Sequence, residues 1–206
     1  MFQKTLVTPF CYNKEMDEAT IPKQEFDNRS VTIERAIPED AETICDIRDR
    51  AWLEAYPSSE HGITDDDVKL MAQGPGSIFL ENRIRYLKAY LDDDDHTTFV
   101  AKVHGKIVGF VDPRIDEQSR RRIGALYVAP ETQDTGVGGK LMRHVLELYG
   151  RDQDIFLDVV SYNQNAINFY EHFGFEKTDA IVPGEVGRPD YLKSLPQTEM
   201  VLRAEK

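Results

Sequence analysis

Three glycines, Gly136, Gly138 and Gly139, precede an amphipathic helical stretch and follow a strand that ends near Pro130. Glycine lets backbone N–H groups face outward without an obstructing side chain, and a helix N-terminus adds partial positive charge. Together these features predict an anion site suited to a diphosphate.

Two other phosphate-binding motifs do not fit this loop. A dinucleotide fingerprint that starts at Gly136 needs a glycine where Leu141 stands, and a Walker A loop that ends at Lys140 needs a glycine where Asp134 stands. The loop therefore favours neither NAD nor ATP.

A second motif, LDVVSYNQNAINFYEHFGF, covers residues 157–175 and combines a strand, Asn163, and a helix that carries Tyr170. Together with the upstream pattern Gln133-x-x-Gly136-x-Gly138, this motif resembles the paired motifs of the GNAT superfamily of N-acetyltransferases. The segment RAIPEDAETICDIRDRAWLEAY also resembles that family's first strand and helix. The resemblance covers residues 31–203 in the family's order.

The resemblance implies a fold, a reaction and a co-substrate. The fold is of the mixed α/β class, an acyl-CoA N-acyltransferase fold with a central, mostly antiparallel sheet flanked by helices. The reaction is direct attack by a primary amine on acetyl-CoA, without a covalent enzyme intermediate and without a metal. Many family members are homodimers, so the resemblance is compatible with a homodimer.

The resemblance also implies roles for individual residues. Backbone N–H groups of the three glycines would bind the CoA pyrophosphate, and Leu126 and Val128 would pair with the pantetheine arm. The Val128 N–H would polarise the thioester carbonyl, and Tyr170 would protonate the departing thiolate. Side chains expected to contact the cofactor are Gln133, Lys140 and Asn163.

The acceptor must lose a proton, because an alkylamine with a pKa near ~10.4 is almost wholly protonated at neutral pH. Five side chains are open candidates for the general base: Asp158, Tyr127, Glu54, Tyr56 and Asp112. The residues do not rank them.

Other interpretations of the same residues stay open. The glycines suit an ordinary turn, Tyr170 suits a core position, and Asn163 suits a helix N-cap alone. The segment Arg120–Arg122 would either meet a CoA phosphate or form a solvated loop end. A non-catalytic acyl-CoA-binding regulatory module is the alternative of another class.

Patterning predicts the elements that must position these residues. Alternation predicts a strand over 31–36, and apolar spacing predicts helices over 39–56, 64–71 and 77–91. Two strands around His104-Gly105 predict a hairpin, and a loop is expected over 112–119. Later segments predict strands at 123–130, 155–160, 175–178 and 199–203, with helices from Gly138 and over 166–173.

The 206 residues predict an N-terminal extension of uncertain order over 1–30 and one domain over 31–206. A net charge of −12 argues against nucleic-acid binding and favours a small cationic acceptor of polyamine type. A peptide α-amine or a lysine is the alternative acceptor. With Cys11 and Cys45 as the cysteines, no metal-ligand spacing and no apolar span, we expect a cytoplasmic protein without a metal or membrane association.

Overall fold

The computed structural model describes residues 30–73, 78–90, 93, 96–182 and 195–205. Residues 1–29 of the predicted extension over 1–30 lie outside the described residues, as does Ser77 at the start of the predicted helix over 77–91. The strands are β1 (Thr32–Arg35), β2 (Phe99–Val103), β3 (Lys106–Ile115), β4 (Arg121–Val128), β5 (Ile155–Val160), β6 (Glu176–Ile181) and β7 (Gln197–Leu202). The helices are α1 (Ala41–Ala55), α2 (Asp65–Gln73), α3 (Ile78–Ala89), α4 (Val137–Tyr149) and α5 (Gln164–His172).

The helix boundaries follow local chemistry. Thr64 and Asp67 form a capping box, because the Asp67 N–H donates to Thr64 Oγ1 at 3.2 Å and the Thr64 N–H donates to Asp67 Oδ2 at 2.8 Å. Asn163 caps α5 by accepting the Ala166 N–H at 3.1 Å. Gly174 follows α5 with φ of 87°, a left-handed conformation that is common just after a helix.

The seven strands form one mixed sheet in the order β1-β2-β3-β4-β5-β7-β6. Strands β4 and β5 run parallel, and the other neighbouring strands run antiparallel. This architecture confirms the predicted α/β class with a mostly antiparallel sheet. The β2–β3 hairpin turns at His104 and Gly105, both with positive φ, as a tight two-residue hairpin requires.

The predicted loop over 112–119 is wrong at its start, because β3 continues to Ile115. Pairing with β4 holds this extension in the sheet. The register shifts from Asp112↔Ala125 to Pro113↔Ile123, so Gly124 is an extra residue, a β-bulge in β4. The Pro113 ring lacks an N–H, and alternation alone did not predict a strand through it.

The two faces of the sheet carry separate apolar layers. On one face α4 and α5 pack on the central strands, with Leu141, Ile167 and Leu157 in that core. On the other face Ile44 and Ile47 of α1 pack with Phe110. Successive residues along β5, and along β7, point alternately to these two faces. A polar side chain of either strand therefore lies on the face opposite to that of its apolar neighbours.

Candidate functional site

A fork opens between β4 and β5. The two strands pair only at Arg121↔Ile155, Arg122↔Phe156 and Ile123↔Leu157, although β4 continues to Val128 and β5 to Val160. The separation begins next to the Gly124 bulge, and bulges bend and twist the strand that carries them.

The inner edge of the fork presents main-chain N–H groups. The Ala129 N–H donates to the Val108 carbonyl at 2.8 Å, and Val128 lies opposite Gly109 in the register. In an antiparallel ladder this makes Val128 a non-hydrogen-bonded position relative to β3. The N–H groups of Val128 and, two residues earlier, Leu126 consequently point away from β3 and into the fork.

The N-terminus of α4 closes the upper end of the fork. Gly136 precedes the helix in the left-handed region, with φ of 91°. A Cβ built on Gly138 would lie 3.4 Å from the Phe169 ring and 3.6 Å from Val128. The first turn of α4, the end of β4 and α5 therefore meet at one point, where the first N–H groups of the helix have no acceptor within the helix.

Two predicted cofactor side chains have protein partners in this structure. Gln133 Nε2 donates to Glu54 Oε2 at 3.0 Å, and Lys140 Nζ donates to the Val31 carbonyl at 3.4 Å. The sequence analysis missed Arg143, whose guanidinium lies 3.4 Å from a Cβ built on Gly139. Arg143 follows Gly139 by four residues, about one helical turn, and this spacing could have indicated that the two lie side by side on α4.

Tyrosines from both faces converge on the fork. The Tyr56 and Tyr127 hydroxyls lie 3.2 Å apart, and Tyr162 donates from its hydroxyl to the Tyr56 carbonyl at 2.7 Å. Burial raises the pKa of Tyr56, Tyr127 and Tyr170 above the usual phenol value. Each phenol therefore stays protonated near neutral pH.

Tyr170 differs from the other tyrosines in its hydrogen bonding. Its side chain is 9% exposed, and among the described residues none hydrogen-bonds its hydroxyl. After burial, the nearby Tyr127 phenol raises the pKa of Tyr170 further. The Tyr170 hydroxyl is a donor available to a bound group.

The candidate bases fall into different environments. Asp112 accepts Arg83 Nη1 at 2.9 Å and the Thr98 hydroxyl at 2.6 Å, so its carboxylate is engaged in a half-buried network. Tyr56 and Tyr127 lie on the α1 side of the fork. Asp158 lies one residue beyond the last β4–β5 pair, and Glu54 contacts the α4 loop.

The expectation of a solvated end at Arg120–Arg122 is wrong for Arg122, which is 5% exposed. Its guanidinium contacts Asp158 Oδ2 at 2.6 Å and Glu199 Oε2 at 3.1 Å. The carboxylates come from other strands, so no local pattern predicted this burial.

Within the described ranges no group of three or more His, Cys, Asp or Glu side chains is arranged to hold a metal ion. No helix among those residues is long and apolar enough to cross a membrane.

Comparisons with known proteins place this site in context. The model of the acetyltransferase (GNAT) family matches residues 42–175. Peptidyl-lysine N-acetyltransferase YiaC of Escherichia coli is 35% identical over 92 residues, which are 45% of this chain and 58% of that protein. N-alpha-acetyltransferase 50 of Danio rerio is 37% identical over 75 residues, 34% of this chain and 45% of that protein. The matched segments span about half the length of these curated relatives.

Solved structures share the fold. The PaiA N-acetyltransferase of Thermoplasma acidophilum, in complex with coenzyme A, superposes with a TM-score of 0.67 at 17% identity, covering 85% of this chain and 99% of that one. YncA of Salmonella typhimurium, a putative acetyltransferase with acetyl-CoA, gives 0.60 at 21% identity, covering 86% of this chain and 95% of that one.

Proposed function

The chain belongs to the acetyltransferase (GNAT) family, and from that membership we propose that it transfers an acetyl group from acetyl-CoA to a primary amine by direct attack. The observation that carries this proposal is the fork, whose free N–H groups at Leu126 and Val128 lead to the N-terminus of α4. An extended pantetheine arm would pair with that edge as an added strand does. The diphosphate would lie on the helix N-terminus.

The residues divide into binding and polarising roles. The N–H groups of Gly136, Gly138 and Gly139 would bind the diphosphate, with Gln133 and Lys140 turning from their present partners toward it. The Asn163 side chain, which already caps α5, would contact the pantetheine. The Val128 N–H would donate to the thioester oxygen as negative charge develops there, which is the role of an oxyanion donor.

Tyr170 would assist departure of the thiolate. As the C–N bond forms, the acceptor nitrogen releases a proton to water, the C–S bond breaks, and the CoA sulfur takes up negative charge. Because burial raises the pKa of Tyr170 above that of a thiol, its hydroxyl would donate a hydrogen bond rather than transfer its proton outright. The thiolate then gains its proton from solvent as the site opens.

The acceptor would be a small, cationic amine of polyamine type. The net charge of −12 attracts cations. The helix α2 packs against α1 and carries three carboxylates, Asp65–Asp67, in its first turn. These carboxylates would add negative charge on the side from which an acceptor approaches. A lysine or a peptide α-amine is the alternative, since relatives are named for peptidyl-lysine and N-alpha acetylation. In the polyamine case, the binding partner of the protein would be the small-molecule amine itself.

Thiol release from acetyl-CoA in the presence of an amine panel tests the proposal. The panel contains a diamine, spermidine, N-acetyl-lysine amide and a short peptide with a free N-terminus, and an amine-free sample is the blank. Release above the blank supports acetyl transfer and identifies the acceptor class. Binding of acetyl-CoA with no release for any amine would support a non-catalytic binding module, and absence of binding would refute the site.

A further inference from the structure

A polar cavity of about 440 Å³ adjoins the lower end of the fork, and the proposed reaction does not use it. Asp158 and Glu199, directly opposite each other on β5 and β7, both line it. Their neighbours Leu157 and Met200 pack in the core beneath α4 and α5, so the two carboxylates point to the α1 face of the sheet. That is the face on which an acceptor would approach.

The cavity carries an excess of negative charge. Among the side chains that line it, four are carboxylates and three are guanidiniums. Arg122 lies between the facing Asp158 and Glu199, and Arg120 pairs with Asp116 at 2.8 Å. A cationic group entering the cavity would balance the remaining charge.

One atom in this cluster has an unmet hydrogen-bonding capacity. Asp158 Oδ2 accepts Arg122 Nη2 at 2.6 Å, whereas Asp158 Oδ1 is buried and has no hydrogen-bond partner in the described part of the chain. A carboxylate oxygen without a donor is unfavourable, so a small turn of the Asp158 side chain toward the cavity would let it accept an N–H from a bound group.

The position of Asp158 separates it from the reacting centre. Asp158 follows the last β4–β5 pair and is level with Gly124, while the Val128 N–H lies four residues further along β4. At about 3.4 Å per residue, this is a displacement of ~14 Å between backbone positions. An amine attacking a carbonyl held by Val128 would not reach Asp158.

We propose that the Asp158 carboxylate, which lines the cavity, binds a second, non-reacting ammonium group of the acceptor, so that the cavity selects diamines and longer polyamines. This inference rests on the proposed function. Arg122 acts as a positioning residue, since it is buried and holds Asp158 Oδ2 while Glu199 holds the guanidinium in place. Thr178 fixes the other Glu199 oxygen by a hydrogen bond of 3.2 Å.

The test compares matched acceptors in wild-type and variant protein. The ratio of kcat/KM for 1,5-diaminopentane to that for pentylamine measures recognition of the second ammonium. We expect the wild type to favour the diamine, and Asp158→Asn to reduce the ratio by ~10–100-fold, because one charge-assisted hydrogen bond is lost. Asp152→Asn is the control, since Asp152 also pairs with an arginine, Arg121 at 2.6 Å, but outside the cavity.

Other outcomes overturn the inference separately from the proposed function. In Asp158→Asn, an equal fall in kcat/KM for both amines would indicate that Asp158 acts at the reacting nitrogen. Unchanged kcat/KM values for both amines would show that Asp158 does not recognise the second ammonium. Calorimetric binding of 1,5-diaminopentane, weakened in Asp158→Asn, tests the cavity even if no amine supports thiol release. If that variant does not fold, kcat/KM of the wild type is measured for diamines of increasing length. A kcat/KM that does not depend on the second amine would refute the subsite.

Discussion

Replacing Tyr170 with phenylalanine should separate stability from turnover. The hydroxyl has no hydrogen-bond partner among the described residues, so its removal costs the fold no bond. We expect the free energy of unfolding to stay within ~0.5 kcal/mol of the wild-type value. The rate constant kcat should fall by ~10²-fold, within the range found when one positioned hydrogen-bond donor to a developing negative charge is removed.

The assay measures thiol release at saturating acetyl-CoA, cofactor affinity by calorimetry and Tm by thermal unfolding. Tyr149→Phe is the matched control, since the Tyr149 hydroxyl donates at 3.1 Å to the carbonyls of both Arg114 and Arg122. That change should lower Tm while largely sparing kcat. An unchanged kcat in Tyr170→Phe, or a fall in its Tm like that of the control, would refute the assignment.

Three further predictions follow from buried contacts. Asp112→Ala leaves the Arg83 guanidinium without its carboxylate partner, so we expect a loss of ~3–5 kcal/mol in urea unfolding and near-normal kcat in the folded fraction; a loss of kcat with stability intact would make Asp112 catalytic. Gly109→Ala places a Cβ 2.9 Å from the Tyr127 carbonyl oxygen, which should cost ~1–3 kcal/mol, more than Gly138→Ala, whose Cβ has 3.4 Å; equal Tm values for the two variants would contradict this. Tyr56, Tyr127 and Tyr170 have pKa values raised by folding, so the unfolded chain releases their protons first as pH rises above ~10, and stability should then fall by ~4 kcal/mol per pH unit. Urea unfolding between pH 8 and 11 measures the slope, and each of these Tyr→Phe changes should remove ~1.4 kcal/mol per pH unit from it; a flat profile would contradict this expectation.

Local patterns predicted most elements, because caps and periodicity act within a few residues. The Thr64–Asp67 capping box and the Asn163 cap are both present with the bonds that the sequence indicated. The glycine loop was predictable for the same reason, since Gly136 must adopt a backbone conformation that other residues rarely take.

Features that depend on pairing between distant strands were not predictable in this way. The Gly124 bulge exists only relative to the register with β3, and a lone glycine in a strand has several meanings. The burial of Arg122 depends on Glu199, which is 77 residues away along the chain. Ranking the base candidates required contacts such as Arg83 with Asp112, which no sequence spacing reveals.

The fork has a consequence for how this protein tolerates genetic change. The donors that face it at Leu126 and Val128 belong to the main chain, so every amino acid except proline supplies them. Mutational drift at these two positions is limited by packing against the core beneath α4, not by loss of a binding group. Selection on thioester binding would instead fall on Gly124 and Gly109, where a side chain would disturb the path of the strands. A saturation mutagenesis map should therefore show that substitutions are tolerated at Leu126 and Val128 but not at Gly109 and Gly124.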